Sequence, residues 1–415
     1  MEHWPSRCVD GERLWRRLMQ LAQFGARSDG GVDRPSLSDI EISARAEVVA
    51  WGRQIGLTPY TDALANLFLR LDGTRPELAP VLAGSHIDSQ PTGGKFDGAF
   101  GVLAALEAVE AIVASGRRPD RSIEVVAWTN EEGSRFSPGM SGSEAFTSVK
   151  MPAALLAVED AAGCSVGDAV ATVLAQDHDI AHRDFGWLPA AFVEPHIEQG
   201  PILERLGVPI GVVTGIQGTR RYRIRVIGEA AHAGTALRAE RRDALMAAVR
   251  MVANIDRAAL QPEDVKLTVG LFQIEPNAPS VVPSQTLFSI DLRHPDDEVV
   301  DRIDAEIRRI AEVERGPCEV ELRQIAHAPS LVFSPEVRHE IARAARGLGL
   351  AATDIYSAAG HDARQLHYVC PTGMIFIPCR GGISHNPAEW AEPEHVMAGA
   401  RVLTDVLWGL STSNR

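Results

Sequence analysis

The sequence predicts a two-domain protein in which an α/β domain with a mixed sheet is interrupted by an inserted α+β domain. A chain of 415 residues is too long for one ordinary hydrophobic core, so two domains are expected. Apolar strands alternate with periodic helices in the first and last parts of the chain, which is typical of an α/β fold. Residues 221–226 (RYRIRV) instead alternate between polar and apolar, as a half-exposed strand does. We therefore expect an α/β domain over residues 1–215 and 329–415 and an inserted domain over residues 216–328.

The first part of the chain contains most elements of the α/β domain. Its hydrophobic periodicity predicts helices and short buried strands separated by glycine-containing turns. In chain order these are helices at residues 10–26 and 38–56, strands at 64–71 and 78–83, a helix at 102–115, a strand at 122–129, Ala-rich helix over 150–182 with a break at Gly163, and a strand at 191–195.

The inserted segment has the order strand, helix, strand, strand, helix, strand, which matches a split βαβ (ferredoxin-like) sandwich. Such a domain has one antiparallel sheet with both helices on one face, so its other face or an edge strand is free to meet a partner. After Pro329 the α/β pattern returns. The expected elements are strands at 221–226, 265–274, 286–292 and 318–324 with helices at 240–258 and 296–314, then a helix at 335–347, a glycine-centred loop at 356–363, a strand at 373–378 and a helix at 393–409.

A glycine-rich loop with candidate metal ligands follows the strand at residues 78–83. The segment 84–101, GSHIDSQPTGGKFDGAFG, carries His86, Asp88 and Asp97. Imidazole and carboxylate groups are suitable ligands for zinc and also for manganese, cobalt or nickel. In the His-x-Asp spacing, the carboxylate can accept the second ring N–H of the histidine and fix its tautomer. The alternative is a polar loop with a surface histidine.

Three further strand ends carry side chains of the same kinds. The strand at residues 122–129 is followed by Glu131 and Glu132, while His196 and His385 follow two later strands. In open α/β sheets, ligands bind outside the carboxyl ends of the strands, so these groups are expected to share one crevice. Taken singly, a glutamate pair is common on solvated surfaces, and a lone histidine is more often a structural residue.

Composition restricts the partners and the compartment. The formal net charge of −14 argues against nucleic acid or an anionic membrane as a partner. No apolar run approaches the roughly 18 residues of a membrane span, and the N-terminus lacks the basic-then-apolar pattern of an export signal. The 5 cysteines are scattered and include no CxxC pair. Buried thiols are therefore expected instead of a disulfide framework, and a cytoplasmic location fits best.

Six strand-end side chains could form one site: His86, Asp97, Glu131, Glu132, His196 and His385. Five of them suffice for two metals that share a bridging carboxylate, and the sixth could be a general base. Two metals roughly 3.5–4 Å apart can activate water and stabilise an oxyanion, which suits amide or ureido hydrolysis. The chain contains no P-loop, no GxGxxG after a strand and no GxSxG elbow. Composition does not exclude a Ser–His–Asp triad, although no serine has a supporting context.

Seven motifs lie along nearly the whole chain: GSHIDSQPTGGKFDGAFGV, NEEGSRF, EPHIEQGPILE, AHAGT followed by RRDAL, IDLR, AAGHDA and GGISHNP. Together they resemble the motifs of the M20 metallopeptidase superfamily and, within it, the hydantoinase/carbamoylase branch. That branch includes N-carbamoyl-L-amino-acid hydrolases, allantoate amidohydrolases and β-ureidopropionases. The resemblance implies a phosphorylase/hydrolase-like catalytic domain with an inserted lid and dimerisation domain.

The resemblance also implies which residues hold the two divalent metals. His86 and His196 would each face one metal's side of the pair, and Asp97 would bridge the metals. Glu132 and His385 would complete the ligand shells. None of these positions departs from the motifs of the family.

Four more residues of the α/β domain have roles implied by the resemblance. Glu131 would be the general base and proton shuttle, and Asp88 would support the first histidine ligand. Gln199 matches a glutamine near the ureido group of the substrate. Gly360 matches a glycine whose backbone approaches the substrate.

Two residues of the inserted domain are expected to act in the active site of a partner subunit. His232, in the HAGT motif, would stabilise the oxyanion, and Arg293, in IDLR, would bind the substrate carboxylate. The resemblance therefore implies a homodimer whose active sites are each completed by the other subunit. Hinges are expected near residues 214–218 and 326–330.

Departures from the family's motifs concern the substrate. Arg238 lies near a position where the family commonly has Met, and Ser280 replaces a common substrate-contacting Asn, unless Asn277 substitutes for it. Thr219 stands where allantoate-type members often have Gln. These changes weaken the allantoate hypothesis, while the metal ligands are unaffected.

The expected protein is a cytoplasmic, dimeric amidohydrolase with two divalent metals, zinc or else manganese, cobalt or nickel. Its substrate would be a small N-carbamoyl amino acid or a related ureido acid. Three alternatives stay open: an M20 aminoacylase or dipeptidase, an allantoate amidohydrolase, and a catalytically inactive metal-binding homologue.

Overall fold

The computed structural model describes residues 4–260 and 265–412, and these fall into two units. Unit 1 extends to Thr214 and resumes at Phe333, whereas unit 2 is the segment Gly215–Val332. Each unit has its own cluster of buried apolar side chains. A separate core in each unit is what independent domains require.

Strands and helices alternate through most of the chain. The strands are β1 (Thr58–Thr61), β2 (Leu67–Leu71), β3 (Val81–His86), β4 (Ile123–Trp128), β5 (Ala181–His182), β6 (Ala191–Ile197), β7 (Ile210–Ile216), β8 (Gly218–Ile227), β9 (Ala231–His232), β10 (Lys266–Thr268), β11 (Phe272–Glu275), β12 (Val281–Val282), β13 (Gln285–His294), β14 (Glu319–Ala328), β15 (Leu331–Val332), β16 (Ala352–Ser357) and β17 (Thr372–Ile377). The α-helices are α1 (Gly11–Leu21), α2 (Asp39–Gln54), α3 (Ala99–Ala114), α4 (Ser141–Phe146), α5 (Pro152–Leu156), α6 (Val166–Gln176), α7 (Ile202–Leu206), α8 (Ala244–Ala259), α9 (Asp297–Glu314), α10 (Pro335–Gly347), α11 (Ala363–Leu366) and α12 (Pro393–Thr412). Over the ranges described, none of these helices combines the length and the apolar character needed to cross a membrane.

The sheet of unit 1 is mixed, with parallel strands at its centre. Its order is β7-β17-β6-β3-β4-β2-β1-β5, and β16 also pairs with β7. Strands β17, β6, β3 and β4 are parallel to one another, whereas β7 and β2, on either side of them, are antiparallel to their neighbours. The carboxyl ends of the parallel strands therefore meet at one edge of the sheet. The predicted α/β class with a mixed sheet is confirmed.

The central strands are covered on both faces, which explains their nearly continuous apolar sequences. Every residue of β3, β4, β6 and β17 is buried. Helix α3 is also buried around most of its circumference and shares one core with residues of α1, α10 and α12. Full burial of a large apolar side chain contributes about 1.5–3 kcal/mol, so this packing holds the strand ends firmly relative to one another.

Gly98 begins α3 with a backbone conformation that glycine adopts most easily. Its φ is +62°, in the left-handed region. A Cβ at this position would lie only 2.3 Å from Cε1 of His86. The glycine therefore turns the chain into the helix and leaves room for the imidazole at the end of β3.

Unit 2 contains an antiparallel sheet in the order β10-β13-β8-β14, with β11 also paired to β13. In chain order this is second, third, first and fourth strand, the arrangement of a split βαβ sandwich. Tyr222, Ile224 and Val226 of β8 are buried in one core with residues of α8 and α9. The residues between them are exposed, in keeping with the polar–apolar alternation of the sequence.

The segment predicted as Ala-rich helix over 150–182 is only partly helical. Helix α5 ends at Leu156, and Gly163 has a φ of +80°. Ser165 then forms a capping box with Asp168 and begins α6. Local turn and capping chemistry therefore overrides the helix propensity of alanine between the two helices.

Strand β7 occupies most of the segment 211–218, where the glycines of GVVTGIQG disfavour a strand. A Cβ on Gly211 would lie 2.9 Å from Ile355 and 3.0 Å from Phe376. This glycine therefore reflects close packing inside a strand and not a turn.

Candidate metal centre

The carboxyl ends of the four parallel strands carry the side chains predicted for the metal site. His86 is the last residue of β3, and His196 lies next to the end of β6. Glu131 and Glu132 follow β4, and His385 lies in the connection from β17 to α12. Because β17, β6, β3 and β4 are consecutive in the sheet, these groups come together in the structure.

Asp97 lies between two groups of these side chains. Its Oδ1 is 3.5 Å from Nε2 of His86 and 3.3 Å from Nε2 of His196. Its Oδ2 is 3.4 Å from Nε2 of His385, and that nitrogen is 3.3 Å from Oε2 of Glu132. The ligand atoms in each group are close enough to hold one metal ion. Asp97 thus presents one carboxylate oxygen to each group.

The two buried histidines approach the same oxygen of Asp97. This differs from the expectation that His86 and His196 lie on different sides of the metal pair. The physical reason is the sheet order, since β3 and β6 are adjacent parallel strands that end side by side.

Both histidines direct Nε2 toward Asp97 and Nδ1 toward a backbone carbonyl. Nδ1 of His86 is 3.0 Å from the backbone carbonyl of Asp88, and Nδ1 of His196 is 2.9 Å from that of Ile197. A carbonyl only accepts, so Nδ1 carries a proton and Nε2 is the nitrogen left to bind a metal. Consistently, the Gly98 N–H donates to Nε2 of His196 at 3.2 Å. Such an arrangement orients metal-binding histidines.

Asp88 ties the end of β3 to the loop that follows β4. Its Oδ1 lies 3.4 Å from Nδ1 of His86. Its two carboxylate oxygens accept the backbone N–H groups of Glu131 and Glu132 at 3.3 and 3.2 Å. The side chain is fully buried, so these bonds are shielded from water.

Glu131 lies beside the ligands and belongs to neither group. Its Oε2 is 3.6 Å from Nε2 of His86. Burial raises the pKa of the Glu131 carboxyl well above its ordinary value; His86 opposes the rise, while Asp362 and Glu132 add to it. A carboxylate with a raised pKa is a stronger proton acceptor, which suits the role of a general base.

The acidic side chains around Asp97 carry an excess of negative charge. Burial raises the pKa of Glu132 to about 7, and the charge of Asp97 adds to this rise. Burial also works against ionisation of Asp97, but His196, His385 and His86 hold the pKa of its carboxyl well below the ordinary value. Two divalent cations would neutralise this charge, and the imidazole and carboxylate donors fit zinc or its neighbours. The residues present therefore fit a metal pair.

Sequence reasoning missed four further buried polar residues near the candidate ligands: Glu194, His361, Asp362 and Glu389. The carboxylate of Glu194 accepts the hydroxyl of Ser85 and the backbone N–H of Ala363, both at 2.7 Å. The ring of His361 lies 4.6 Å from that of His196. An acidic residue inside the apolar run AFVEP was a usable signal for Glu194.

Gln199 and Gly360 lie in unit 1 with different environments. Nε2 of Gln199 donates to Oδ2 of Asp97 at 2.7 Å, so its amide contacts the expected bridging carboxylate. Gly360 is exposed, and a Cβ there would meet Met140 at 3.8 Å. Their contacts with a substrate stay predictions.

His232 and Arg293 lie in unit 2. Nδ1 of His232 accepts the N–H groups of Gly234 and Thr235 at 3.0 and 3.2 Å, so the neutral ring carries its proton on Nε2. The His232 side chain is exposed. Nε of Arg293 donates to Oδ1 of Asp291 at 2.8 Å. Their roles toward a partner subunit stay predictions.

The chain is similar to known proteins over almost its full length. Residues 82–409 match the peptidase family M20/M25/M40. The N-carbamoyl-L-amino acid amidohydrolase of Geobacillus stearothermophilus is 38% identical over 407 residues, which cover 97% of this chain and 99% of that protein. The allantoate amidohydrolase of Bacillus subtilis (strain 168) is 34% identical over 403 residues, covering 94% and 95%. The crystal structure of a hydantoinase/carbamoylase family amidase from Burkholderia multivorans matches with a TM-score of 0.92 and 41% identity, covering 98% of both chains.

Proposed function

The chain belongs to the peptidase family M20/M25/M40, and from this premise we propose that it hydrolyses the ureido C–N bond of a small N-carbamoyl amino acid or related ureido acid. The observation that carries the proposal is Asp97, which offers one oxygen to each of two ligand groups, with Glu131 beside them. The similarity to an N-carbamoyl-L-amino acid amidohydrolase over nearly the whole chain supports this substrate class.

Two divalent metals would be held by the two ligand groups. His86 and His196 would bind one metal, Glu132 and His385 the other, and Asp97 both. Zinc is one candidate, and manganese, cobalt or nickel fit the same nitrogen and oxygen donors. When bound, such a pair lowers the pKa of water and stabilises the charge of a tetrahedral oxyanion.

Glu131 would move the proton of the reaction. As the water oxygen bonds to the ureido carbon, the Glu131 carboxylate accepts one proton from that water. The same carboxyl then donates the proton to the leaving nitrogen as the C–N bond breaks. The products are a free amino acid and carbamate, which decomposes to carbon dioxide and ammonia. General acid–base catalysis of this kind contributes typically about 10²- to 10⁴-fold in rate.

Residues of unit 2 would complete the site of a partner subunit in a homodimer. Nε2–H of His232 would donate a hydrogen bond to the oxyanion, and the planar guanidinium of Arg293 suits a substrate carboxylate. Unit 2 would then act as a lid and dimerisation domain. Gln199 and Gly360 would contact the substrate from unit 1.

A cytoplasmic location is part of the same proposal. All five cysteines, Cys8, Cys164, Cys318, Cys370 and Cys379, are free thiols. Free thiols persist in a reducing compartment, which supports this location.

The proposed two-metal site is also compatible with other hydrolytic activities. An aminoacylase or dipeptidase would need no change in the metal ligands, and the similarity to an allantoate amidohydrolase favours allantoate as a second candidate substrate. Arg238 and Ser280 depart from motifs common in the family, and Thr219 departs from the allantoate-type pattern. A catalytically inactive metal-binding homologue is the alternative outside the enzymes.

A substrate panel distinguishes these activities. The purified protein is loaded with zinc, manganese, cobalt or nickel and assayed on N-carbamoyl amino acids, N-acetyl amino acids, dipeptides and allantoate. We expect N-carbamoyl amino acids to give the highest kcat/KM. Turnover restricted to acyl or peptide substrates would contradict the proposal, and inactivity with every metal would favour the inactive homologue.

A further inference from the structure

One buried carboxylate joins the two loops that carry Asp97 and His385. We call residues 87–98 the Asp97 loop and residues 378–392 the His385 loop. Glu389, which is 2% exposed, belongs to the His385 loop. Its Oε1 accepts two successive backbone N–H groups of the Asp97 loop, at 2.9 Å from Phe96 and 3.1 Å from Asp97. A single side chain thus holds the backbone at the bridging carboxylate.

The Asp97 loop provides the space for this carboxylate with a glycine. A Cβ on Gly94 would lie 2.1 Å from both Cδ and Oε1 of Glu389. The φ of Gly94 lies outside the left-handed region, so available space and not backbone conformation requires glycine there. Gly94 is therefore a second, independent sign that the Glu389 carboxylate has to occupy this position.

Oδ2 of Asp97 has two hydrogen-bond donors in addition to its neighbour His385. Nε2 of Gln199 and Oγ of Ser384 both lie 2.7 Å from it. A carboxylate oxygen offers about two lone-pair sites, so a cation at Oδ2 has to displace one donor. The Ser384 hydroxyl has a single proton and a second acceptor, Oε2 of Glu389, at 3.1 Å. Rotation of this hydroxyl would free Oδ2 without breaking the Gln199 contact.

We propose that Glu389 is a positioning residue for the metal site on the Oδ2 side of Asp97. It fixes the Asp97 loop through two backbone N–H groups, and it accepts a hydrogen bond from the Ser384 hydroxyl when a divalent cation occupies Oδ2. The inference rests on the proposed two-metal function.

The two metal sites differ in their dependence on Glu389. On the Oδ1 side, His86 and His196 lie on β3 and β6 and are oriented by their own backbone carbonyl contacts. On the Oδ2 side, His385 lies in a loop and its side chain is 48% exposed. Loss of Glu389 is therefore expected to weaken one metal site and to leave the other unchanged.

Zinc binding by the full-length apoprotein tests this selectivity. Equilibrium dialysis with elemental analysis is expected to show two zinc equivalents for the wild type. Glu389→Ala should lower the affinity for one zinc equivalent by about 10–100-fold and preserve the affinity for the other. This is the typical effect of removing a group that hydrogen-bonds to a metal ligand. Gly94→Ala should do the same, because the added methyl group displaces the Glu389 carboxylate.

Two further variants test whether Glu389 has to accept the hydrogen bond from the Ser384 hydroxyl. Glu389→Gln keeps an oxygen for the N–H groups of Phe96 and Asp97, but its amide donates to Ser384 and keeps that hydroxyl proton on Asp97. We expect this variant to weaken the same zinc equivalent. Adding Ser384→Ala removes the competing proton and should restore zinc affinity in the Glu389→Gln background. A Glu389→Gln protein with wild-type affinity for both equivalents would overturn the inference.

Glu107→Ala provides the matched control. Glu107 is a buried glutamate of α3 that also accepts a backbone N–H, from Asp10 at 2.7 Å. Its loss should leave both zinc equivalents unchanged, and circular dichroism verifies that each variant is folded. If the wild type binds fewer than two zinc ions, the proposed function fails. If it binds two and both Glu389→Ala and Gly94→Ala retain full affinity, only the present inference fails.

Discussion

Adjacent glutamates follow β4, and their side chains have different neighbours. Oε2 of Glu132 lies 3.3 Å from His385 within a ligand group, whereas Glu131 is outside both groups and 3.6 Å from His86. We predict that Glu131→Gln lowers kcat by about 10²- to 10⁴-fold and leaves the metal content unchanged, because the isosteric amide cannot accept a proton. Kinetics and metal analysis of the same samples measure both effects.

Glu132→Gln is the paired control for that substitution. An amide is a weaker metal ligand than a carboxylate, so we expect this variant to lose metal from the His385 side. Undiminished turnover of the Glu131→Gln variant would contradict its role as the base.

The candidate ligands at the strand ends could be identified from sequence, whereas Glu389 could not. His86, Glu131 and His196 each follow an apolar run that identifies a strand, and the ends of parallel strands converge. Glu389 lies in the loop sequence HNPAEW without a strand or a diagnostic spacing. Its partner, the Phe96 N–H, is 293 residues away in the chain, so its position depends on the folded structure.

Helix α3 has a glycine with positive φ at each end, and the two differ in their surroundings. Gly98 has a φ of +62° and faces the His86 ring, whereas Gly116 has a φ of +70° and open space around its Cβ position. We predict that Gly116→Ala lowers the free energy of unfolding by about 1–2 kcal/mol, the cost of the left-handed conformation alone. Gly98→Ala should cost more and should also weaken metal binding, because the methyl group displaces His86.

Denaturant unfolding of both apoproteins and a zinc titration measure these effects. The backbone of Gly98, with a ψ of −51°, adds its own cost to the stability change, so the change in zinc affinity is the measurement that reports the contact with the imidazole. Equal destabilisation with unchanged zinc affinity in both would show that Gly98 does not position His86.

Some elements could not be predicted because local patterns compete with tertiary packing. Gly211 is accommodated within β7, where its missing side chain makes room for Phe376. The half-exposed strand β8 of unit 2 is easier to predict from sequence, because its polar and apolar residues alternate in the same way as its exposed and buried positions. Alternation thus identifies half-exposed strands more reliably than composition identifies glycine-containing strands.

Unit 2 has the features that an independently folding domain needs. Its sheet and the helices α8 and α9 enclose a core of their own. We predict that a fragment of residues 215–332 folds alone and unfolds cooperatively on heating, as followed by circular dichroism. Ile224 is fully buried in this core, and Ile224→Ala should destabilise the fragment by about 2–5 kcal/mol. A fragment without a cooperative transition would contradict the predicted inserted domain.

The fold class follows from patterns that are local in the chain, whereas the metal site depends on which strands are neighbours. The order β17-β6-β3-β4 brings together residues as distant in sequence as His86 and His385. The sequence indicated the ligand types, and the strand order explains why both histidines of β3 and β6 share one oxygen of Asp97.

Anomalous diffraction from crystals of the metal-loaded protein tests most directly whether Asp97 bridges two metals. We predict two anomalous peaks about 3.5–4 Å apart, one at Oδ1 with His86 and His196 and one at Oδ2 with Glu132 and His385. A single peak, or two peaks that do not share Asp97, would contradict the two-metal account.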